Sequence, residues 1–565
     1  MKKNLSLLAV LLMSSSLVAG CAQLPTAEPT QQPSAEPTVE PTQQPTVEPT
    51  QEPSVEPTVE PTEEPTVEPT VEPTQEPSVE PTEQPTEQPT EQPTEEPTVE
   101  PTEEPSEPEP TEEPTEEPSV QPSVQIDYDF TKEVEIEIYT TLSSSSGYGL
   151  FFDDALKMFE AMYDNKIKVT HTRVGGYDDV RDQLKTELGT GQGPNLAYCY
   201  PDHVALYNKA RAVQTLDKFI YNTQTDEQGN LLFGLTDQQV DDFIDAYWEE
   251  GKSYGDGKMY TLPLYKSTEV LYYNVDVFNE HNLEVPTHWF KDDAGLDPET
   301  SLEHVCEVLK AAYPKDYPLG YDSEANWFIT MCEQYGSPYT SATGDHFLFN
   351  NDVNKEFVTK FKSWYDKGYF TTQNIYGGYT SGLFCNTTDT TAARSFMSIG
   401  SSAGATHQLP DVEGAFEVGI SSIPQVNPDE GKVISQGPSL VMFKKADQQE
   451  VVASWLLMRY LTTNIEFQAE MSMQSGYVPG IESVMENEIY LEWLYSAAGY
   501  PSGIAALSAS VCMDQADFYF TSPAFVGSSD ARDQVGSLLQ SVFLGQQTVE
   551  EAFEYAINEC LAGQK

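Results

Sequence analysis

Gly400-Ser401-Ser402-Ala403-Gly404 satisfies Gly-x-Ser-x-Gly, the spacing that sets a nucleophilic serine on a sharp strand-to-helix turn, and it follows the apolar segment 396–399. Acyl transfer from such a serine needs a histidine base and an orienting acid. His407 is the last histidine in the chain, and it stands five residues beyond Ser402, too near to swing round as that base. The same pentapeptide is also ordinary loop chemistry. Paired carboxylates for glycoside cleavage have no local motif to select them, and a region rich in acids always offers pairs. Cys199, Cys306, Cys332, Cys385, Cys512 and Cys560 lie far apart with no C-x-x-C pair, so zinc-ligand spacing is absent and no metal or cofactor is expected. Those six thiols allow fifteen disulfide pairings, and buried free thiols are the alternative.

The elements that would position a binding site begin near residue 128. Val134-Glu135-Ile136-Glu137-Ile138-Tyr139 alternates as a strand, and Phe151, Phe152, Ala155, Leu156, Phe159 and Met162 mark the face of a following helix. A second strand is expected over 167–172, a second helix over 180–188 and a third strand over 196–200. Strand–helix alternation of this kind implies an α/β fold with a mainly parallel sheet. Ligands of such sheets bind beyond the carboxyl ends of the strands, which places loops 140–149 and 200–203 at a site. Trp248, Trp364 and Trp455 sit in amphipathic patterns and are expected in the core.

An ordered series of short segments carries a family resemblance. Gly191-Gln192-Gly193-Pro194-Asn195-Leu196 precedes Asp202 and then Leu216-Asp217-Lys218-Phe219-Ile220. Tyr254-Gly255-Asp256-Gly257-Lys258-Met259-Tyr260-Thr261-Leu262-Pro263 and Leu271-Tyr272-Tyr273-Asn274-Val275-Asp276-Val277-Phe278 follow. Pro286-Thr287-His288-Trp289 comes next, with 290–301 reading as an inserted loop. Later come Phe396-Met397-Ser398-Ile399-Gly400, Gln436-Gly437-Pro438 and Gly476-Tyr477-Val478-Pro479. The series resembles the extracellular solute-binding proteins of ABC importers, the maltose-binding-protein-like group, over about 130–485. The resemblance implies a two-lobed α/β fold of the periplasmic-binding-protein type (type II) with a ligand cleft between the lobes. One lobe is expected from about 130–266 and 432–475, the other from about 270–425 and 478–565. The crossings are expected near 263–270, 422–436 and 474–479.

The resemblance also implies a solute, most readily a mono- or oligosaccharide, passed to permease subunits. Sugars are held by carboxylates and amides on their hydroxyls and by flat aromatic faces on their C–H sides. Matched to that pattern, Tyr200 and Asp202 fall on the first lobe, Asp202 either as a hydroxyl acceptor or as a helix N-cap. Ser144, within the run 143–146, falls on the first strand's loop. Tyr265, Lys266 and Ser267 lie in a crossing, Glu324, Asn326 and Trp327 on the second lobe, and Gln436 beyond a returning crossing. Ser401 and Ser402 occupy the place of a stacking tryptophan in maltose binders. That tryptophan is missing, which leaves the solute open.

The N-terminus reads as an address. Lys2 and Lys3, an apolar run from Leu5 to Leu12 and Leu17-Val18-Ala19-Gly20-Cys21 resemble a bacterial lipoprotein signal, with 1–20 removed and Cys21 acylated. The apolar run is shorter than the roughly 20 residues that a membrane span requires. Residues 21–125 repeat x-Glu/Gln-Pro-Thr, with proline at every fourth position from Pro25 to Pro105. Proline removes donors and favours extended backbone, so a disordered stalk is expected, with a contour approaching ~300 Å at ~3.1 Å per residue. Of 91 acidic and 29 basic residues, 27 glutamates lie in this stalk and two lysines in the signal, leaving 64 acids and 27 bases beyond it. So negative a surface argues against nucleic acid and against docking on anionic lipid. The expected protein is a monomer tethered by lipid to the outer face of a cell membrane of Gram-positive type. A stalked adhesin or polysaccharide-binding protein explains the tether as well but not the ordered segments, and only Gly-Ser-Ser-Ala-Gly speaks for a secreted hydrolase.

Overall fold

The computed structural model describes residues 124–564 apart from 146, 294 and 496–501. The signal segment, Cys21 and the repeat as far as residue 123 lie outside the described residues, as does Ser146. Among the described residues no helix is long and apolar enough to cross a membrane.

The first sheet has five strands, in the order Ile167–Arg173, Val134–Thr140, Leu196–Cys199, Ser439–Met442 and Thr261–Pro263. The first three are parallel, with Val134 opposite Ile167 and Ile138 opposite Leu196, and the other two join antiparallel. Alternation does what it should here: Val134, Ile136 and Ile138 point into one core, where they meet Phe152, Ala155, Leu156 and Phe159 of the helix Gly147–Met162. Met162, expected on that face, is exposed at the helix's last position. Leu196–Cys199 stops one residue short of expectation because Tyr200 takes extended backbone as N-cap and Pro201 opens the helix Pro201–Lys209.

The second sheet is built around one long strand, Tyr265–Asn274. Its later half pairs with Ser395–Ser401 and Val418–Ser422, and Tyr317–Tyr321 and Phe370–Thr372 continue the sheet in parallel beyond Ser395–Ser401. Its first four residues pair with Val478–Pro479 and Val433–Gln436. This strand is where the lobes join. The chain leaves the first sheet at Pro263 and enters the second at Tyr265. It returns through Gly437 and Pro438, between Gln436 of the second sheet and Ser439 of the first. It crosses again from the helix Ile465–Ser475 to Val478–Pro479. Gly437 has φ +92, and a Cβ there would stand 2.8 Å from Lys266 Cα and from the Tyr265 carbonyl oxygen, so only glycine fits this crossing.

Two placements differ from expectation. Val433–Gln436, assigned to the first lobe by sequence, pairs with the second sheet, which puts the second crossing just beyond Gln436. Ile481, Val484, Tyr490 and Leu494, expected in the second lobe, pack in the first lobe's core with Phe152, Leu262 and Trp455. The helices Ser528–Phe543 and Val549–Gly563 do lie against the second lobe's core. Trp248, Trp364 and Trp455 are buried, and all six cysteines are buried free thiols.

Candidate functional site

Loops at the strand ends and the crossings enclose a cavity of about 810 Å³ between the lobes. Tyr148, Tyr177 and Tyr200 come from the first lobe, Tyr477 from the third crossing and Tyr379 from the second lobe. The Tyr177 and Tyr200 rings lie 4.6 Å apart, and the Tyr177 and Tyr477 hydroxyls are 3.4 Å apart. Tyr379 is 69% exposed and its ring is free to meet a ligand. Glu269 from the joining strand and Asp322 and Asp411 from the second lobe complete the lining, and among the described residues no lysine or arginine joins them.

Glu269 sits at the middle of the joining strand, almost wholly buried. Tyr321 donates its hydroxyl to Oε2 at 2.8 Å, and Asn326 donates Nδ2 to Oε1 at 3.1 Å. Arg532 in turn donates to Asn326 Oδ1, which fixes the amide's orientation. Burial pushes the Glu269 carboxyl up to about 7, against the pull of those two hydrogen bonds and of the Arg532 charge. Asp322 follows the strand Tyr317–Tyr321. Its Oδ1 accepts from the Thr380 backbone N–H at 2.6 Å and from the Thr380 hydroxyl at 2.7 Å. Burial raises this carboxyl as well, and the Thr380 bonds offset part of the shift. The partners of Asp322 crowd one oxygen and leave Oδ2 to the cavity.

Of the residues singled out from sequence, Tyr200, Ser267, Asn326, Ser401 and Gln436 line this cavity. Ser267 and Gln436 stand opposite each other in the strand register. Asn326 is brought in by Ser323, which caps the helix Glu324–Gln334 by accepting from the Asn326 backbone N–H at 3.2 Å. Asp202 lines a smaller adjoining chamber of about 60 Å³. It is not the N-cap, a place Tyr200 holds, but sits in the first turn of its helix.

The other six are drawn elsewhere by packing. The Tyr265 ring is buried behind Tyr477, and its hydroxyl shares a 2.6 Å hydrogen bond with that of Tyr198. Lys266 is fully buried and donates to Glu250 and, at 2.9 Å, to the Ser439 hydroxyl. Glu324 is buried and accepts from the Asn374 backbone N–H at 3.0 Å. Trp327 is 0% exposed, stacked on Tyr321 at 4.6 Å and flanked by Trp289 and Phe361. Ser402 is buried with its hydroxyl accepting from the Thr268 backbone N–H at 3.2 Å, so Gly-Ser-Ser-Ala-Gly presents no exposed nucleophile at Ser402. Ser144 is exposed beside His171 and lies off the cavity wall.

Sequence reasoning passed over Glu269, Asp322 and the four tyrosines 148, 177, 379 and 477. Two of them had a readable signal. Glu269 is a carboxylate inside a strand otherwise almost all apolar or hydroxylic, and Asp322 follows a strand end as Asp202 does.

The comparisons agree with this architecture. A model of bacterial extracellular solute-binding proteins matches residues 154–493, and a model of the PT disordered repeat matches 22–55 and 48–87. No curated protein matches the chain. The cyclic α-maltosyl-1,6-maltose binding protein from Arthrobacter globiformis is similar in structure at TM-score 0.57 and 17% identity, over 76% of this chain and 99% of that one. The ABC substrate-binding protein Lmo0181 from Listeria monocytogenes, in complex with cycloalternan, is similar at TM-score 0.59 and 17% identity, over 76% and 98%. Maltose-bound T. maritima MalE3 is similar at 0.56 and 13%, over 75% and 98%. At these identities the likeness concerns the fold. With a sequence model covering more than half its length, the chain belongs to the bacterial extracellular solute-binding proteins.

Proposed function

We propose that this protein is a receptor that captures a carbohydrate, a mono- or oligosaccharide, between its lobes and delivers it to the permease subunits of an ABC importer. One observation carries the reading: the lining of an 810 Å³ cavity combines five tyrosines with the carboxylates of Glu269, Asp322 and Asp411 and the amides of Asn326 and Gln436. That pairing suits the two surfaces of a pyranose, its C–H face and its hydroxyl edge. The sugars named for the structural neighbours point the same way. Within the cleft, Tyr200, Ser267, Asn326, Ser401 and Gln436 are the contacts foreseen from sequence, joined by Glu269 and Asp322. The solute is bound and released unchanged, and binding that favours the closed arrangement drives closure. Residues 126–565 form the receptor, a monomer. Cys21 carries the lipid that holds it to the outer face of a Gram-positive membrane, and the Pro-Thr repeat sets its reach.

Thermal melting with a panel of mono- and oligosaccharides tests the reading. A ligand that binds only the native state raises the midpoint in proportion to the logarithm of its concentration. Stabilisation by at least one sugar is expected. If none shifts the midpoint while an immobilised polysaccharide or a host protein retains the chain, the molecule is an adhesin.

A further inference from the structure

We propose that the small chamber beside the main cavity is an end-group subsite, which takes the diol or hydroxymethyl of a neutral sugar terminus. The inference rests on the carbohydrate reading above and narrows it to ligands with a free chain end. The chamber shares Tyr200 and Gln436 with the main cavity, so the two adjoin. Its volume of about 60 Å³, against about 810 Å³ for the main cavity, suits a small polar group at the end of a longer ligand.

The walls are unfilled hydrogen-bonding capacity. Tyr339 is 5% exposed, and its hydroxyl has no hydrogen-bond partner among the described residues. The hydroxyls of Ser435 and Ser522 are likewise buried without partners, and both residues line the same chamber. A buried polar atom left unpaired is costly, and native structures keep few of them. Three around one small space form a built arrangement of donors and acceptors.

The charges decide what it takes. Arg532 brings a guanidinium with five N–H donors, one group of which is engaged by Asn326, and no carboxylate among the described residues lies within 4.0 Å of it. Asp202 brings a carboxylate whose side chain is 16% exposed and which has the His203 ring at 4.0 Å. An anionic end group would satisfy Arg532 and meet repulsion from Asp202. A cationic one would do the reverse. A hydroxyl both donates and accepts, so a pair of them answers both walls at once and completes Tyr339, Ser435 and Ser522.

The test uses Tyr339→Phe and Ser522→Ala, each removing a hydroxyl that has no hydrogen-bond partner among the described residues. Neither should lower the melting midpoint. The probes are maltotriose, cellotriose, xylotriose and mannotriose, with cyclodextrins as end-free counterparts and trigalacturonate and chitosan trimer as charged ones, read by titration calorimetry. Expected are binding of at least one neutral linear trimer, no matching affinity for the cyclic or charged probes, and a loss of about three- to tenfold in either variant. Unchanged affinity in both variants, or tighter binding of the cyclic or charged probes, overturns the subsite and leaves the receptor standing. If no neutral sugar binds the wild-type protein, the carbohydrate reading itself falls.

Discussion

The Tyr321 hydroxyl reaches across from the neighbouring wall to donate to Glu269 Oε2 at 2.8 Å, tying the carboxylate of the joining strand to the core of the second lobe. Burial nonetheless holds that carboxyl near 7 rather than at its ordinary 4.5. A carboxyl that is easier to ionise unfolded than folded gives stability that is present below about pH 4.5 and lost as pH rises through about 7. Unfolding by denaturant at a series of pH values should show this fall, worth roughly 3 kcal/mol. Glu269→Gln should flatten it. An equally steep fall in that variant would assign the pH dependence to other groups.

Lys266 and Glu250 form a buried ion pair with Ser439 as a shared neighbour. Lys266→Met leaves Glu250 charged and unaccompanied, which costs about 3–5 kcal/mol. Adding Glu250→Gln should recover much of that loss. Chemical denaturation of the two variants checks it: a double variant no more stable than the single one would show that the pair's value lies in packing rather than charge.

Trp327 and Tyr379 should behave oppositely. Trp327→Ala opens a hole among Tyr321, Trp289 and Phe361 and should lower stability by about 3–5 kcal/mol. Tyr379→Ala touches an exposed ring and should change stability by no more than about 0.5 kcal/mol while weakening binding of any sugar that shifts the wild-type midpoint. Melting and calorimetry on both variants separate the roles. Full affinity in Tyr379→Ala would remove that ring from the recognition surface.

Reducing agent should leave the melting midpoint where it is, because all six cysteines are buried free thiols. Thiol counting under denaturing conditions should find six reactive groups in a chain truncated before residue 124. Fewer would reveal a disulfide.

How far the fold was legible depended on whether a residue's role was local. The parallel strands of the first lobe follow from alternation and from strand–helix spacing, so Val134–Thr140 and Ile167–Arg173 fell within a residue of expectation. The lining of the candidate cavity was legible where a strand end decides it, as at Tyr200 and Ser401. It was misread where long-range packing decides. Trp327 has the right type and position for a sugar platform, but Trp289 and Phe361, brought in from distant elements, close round it while Tyr321 stacks on its face. Lys266 looks like a ligand contact until Glu250, sixteen residues earlier, is brought to it. The Ile481–Leu494 stretch went to the wrong lobe because a third crossing followed by a return to the first core leaves no periodic trace.

Gly437 admits no side chain, whereas Tyr379 and Asp411 stand on loops of the cleft wall. Inheritance can therefore treat the two unequally. Exchanging Tyr379 or Asp411 alters the wall of the cleft and leaves the joint intact, whereas any side chain at residue 437 strains the joint itself.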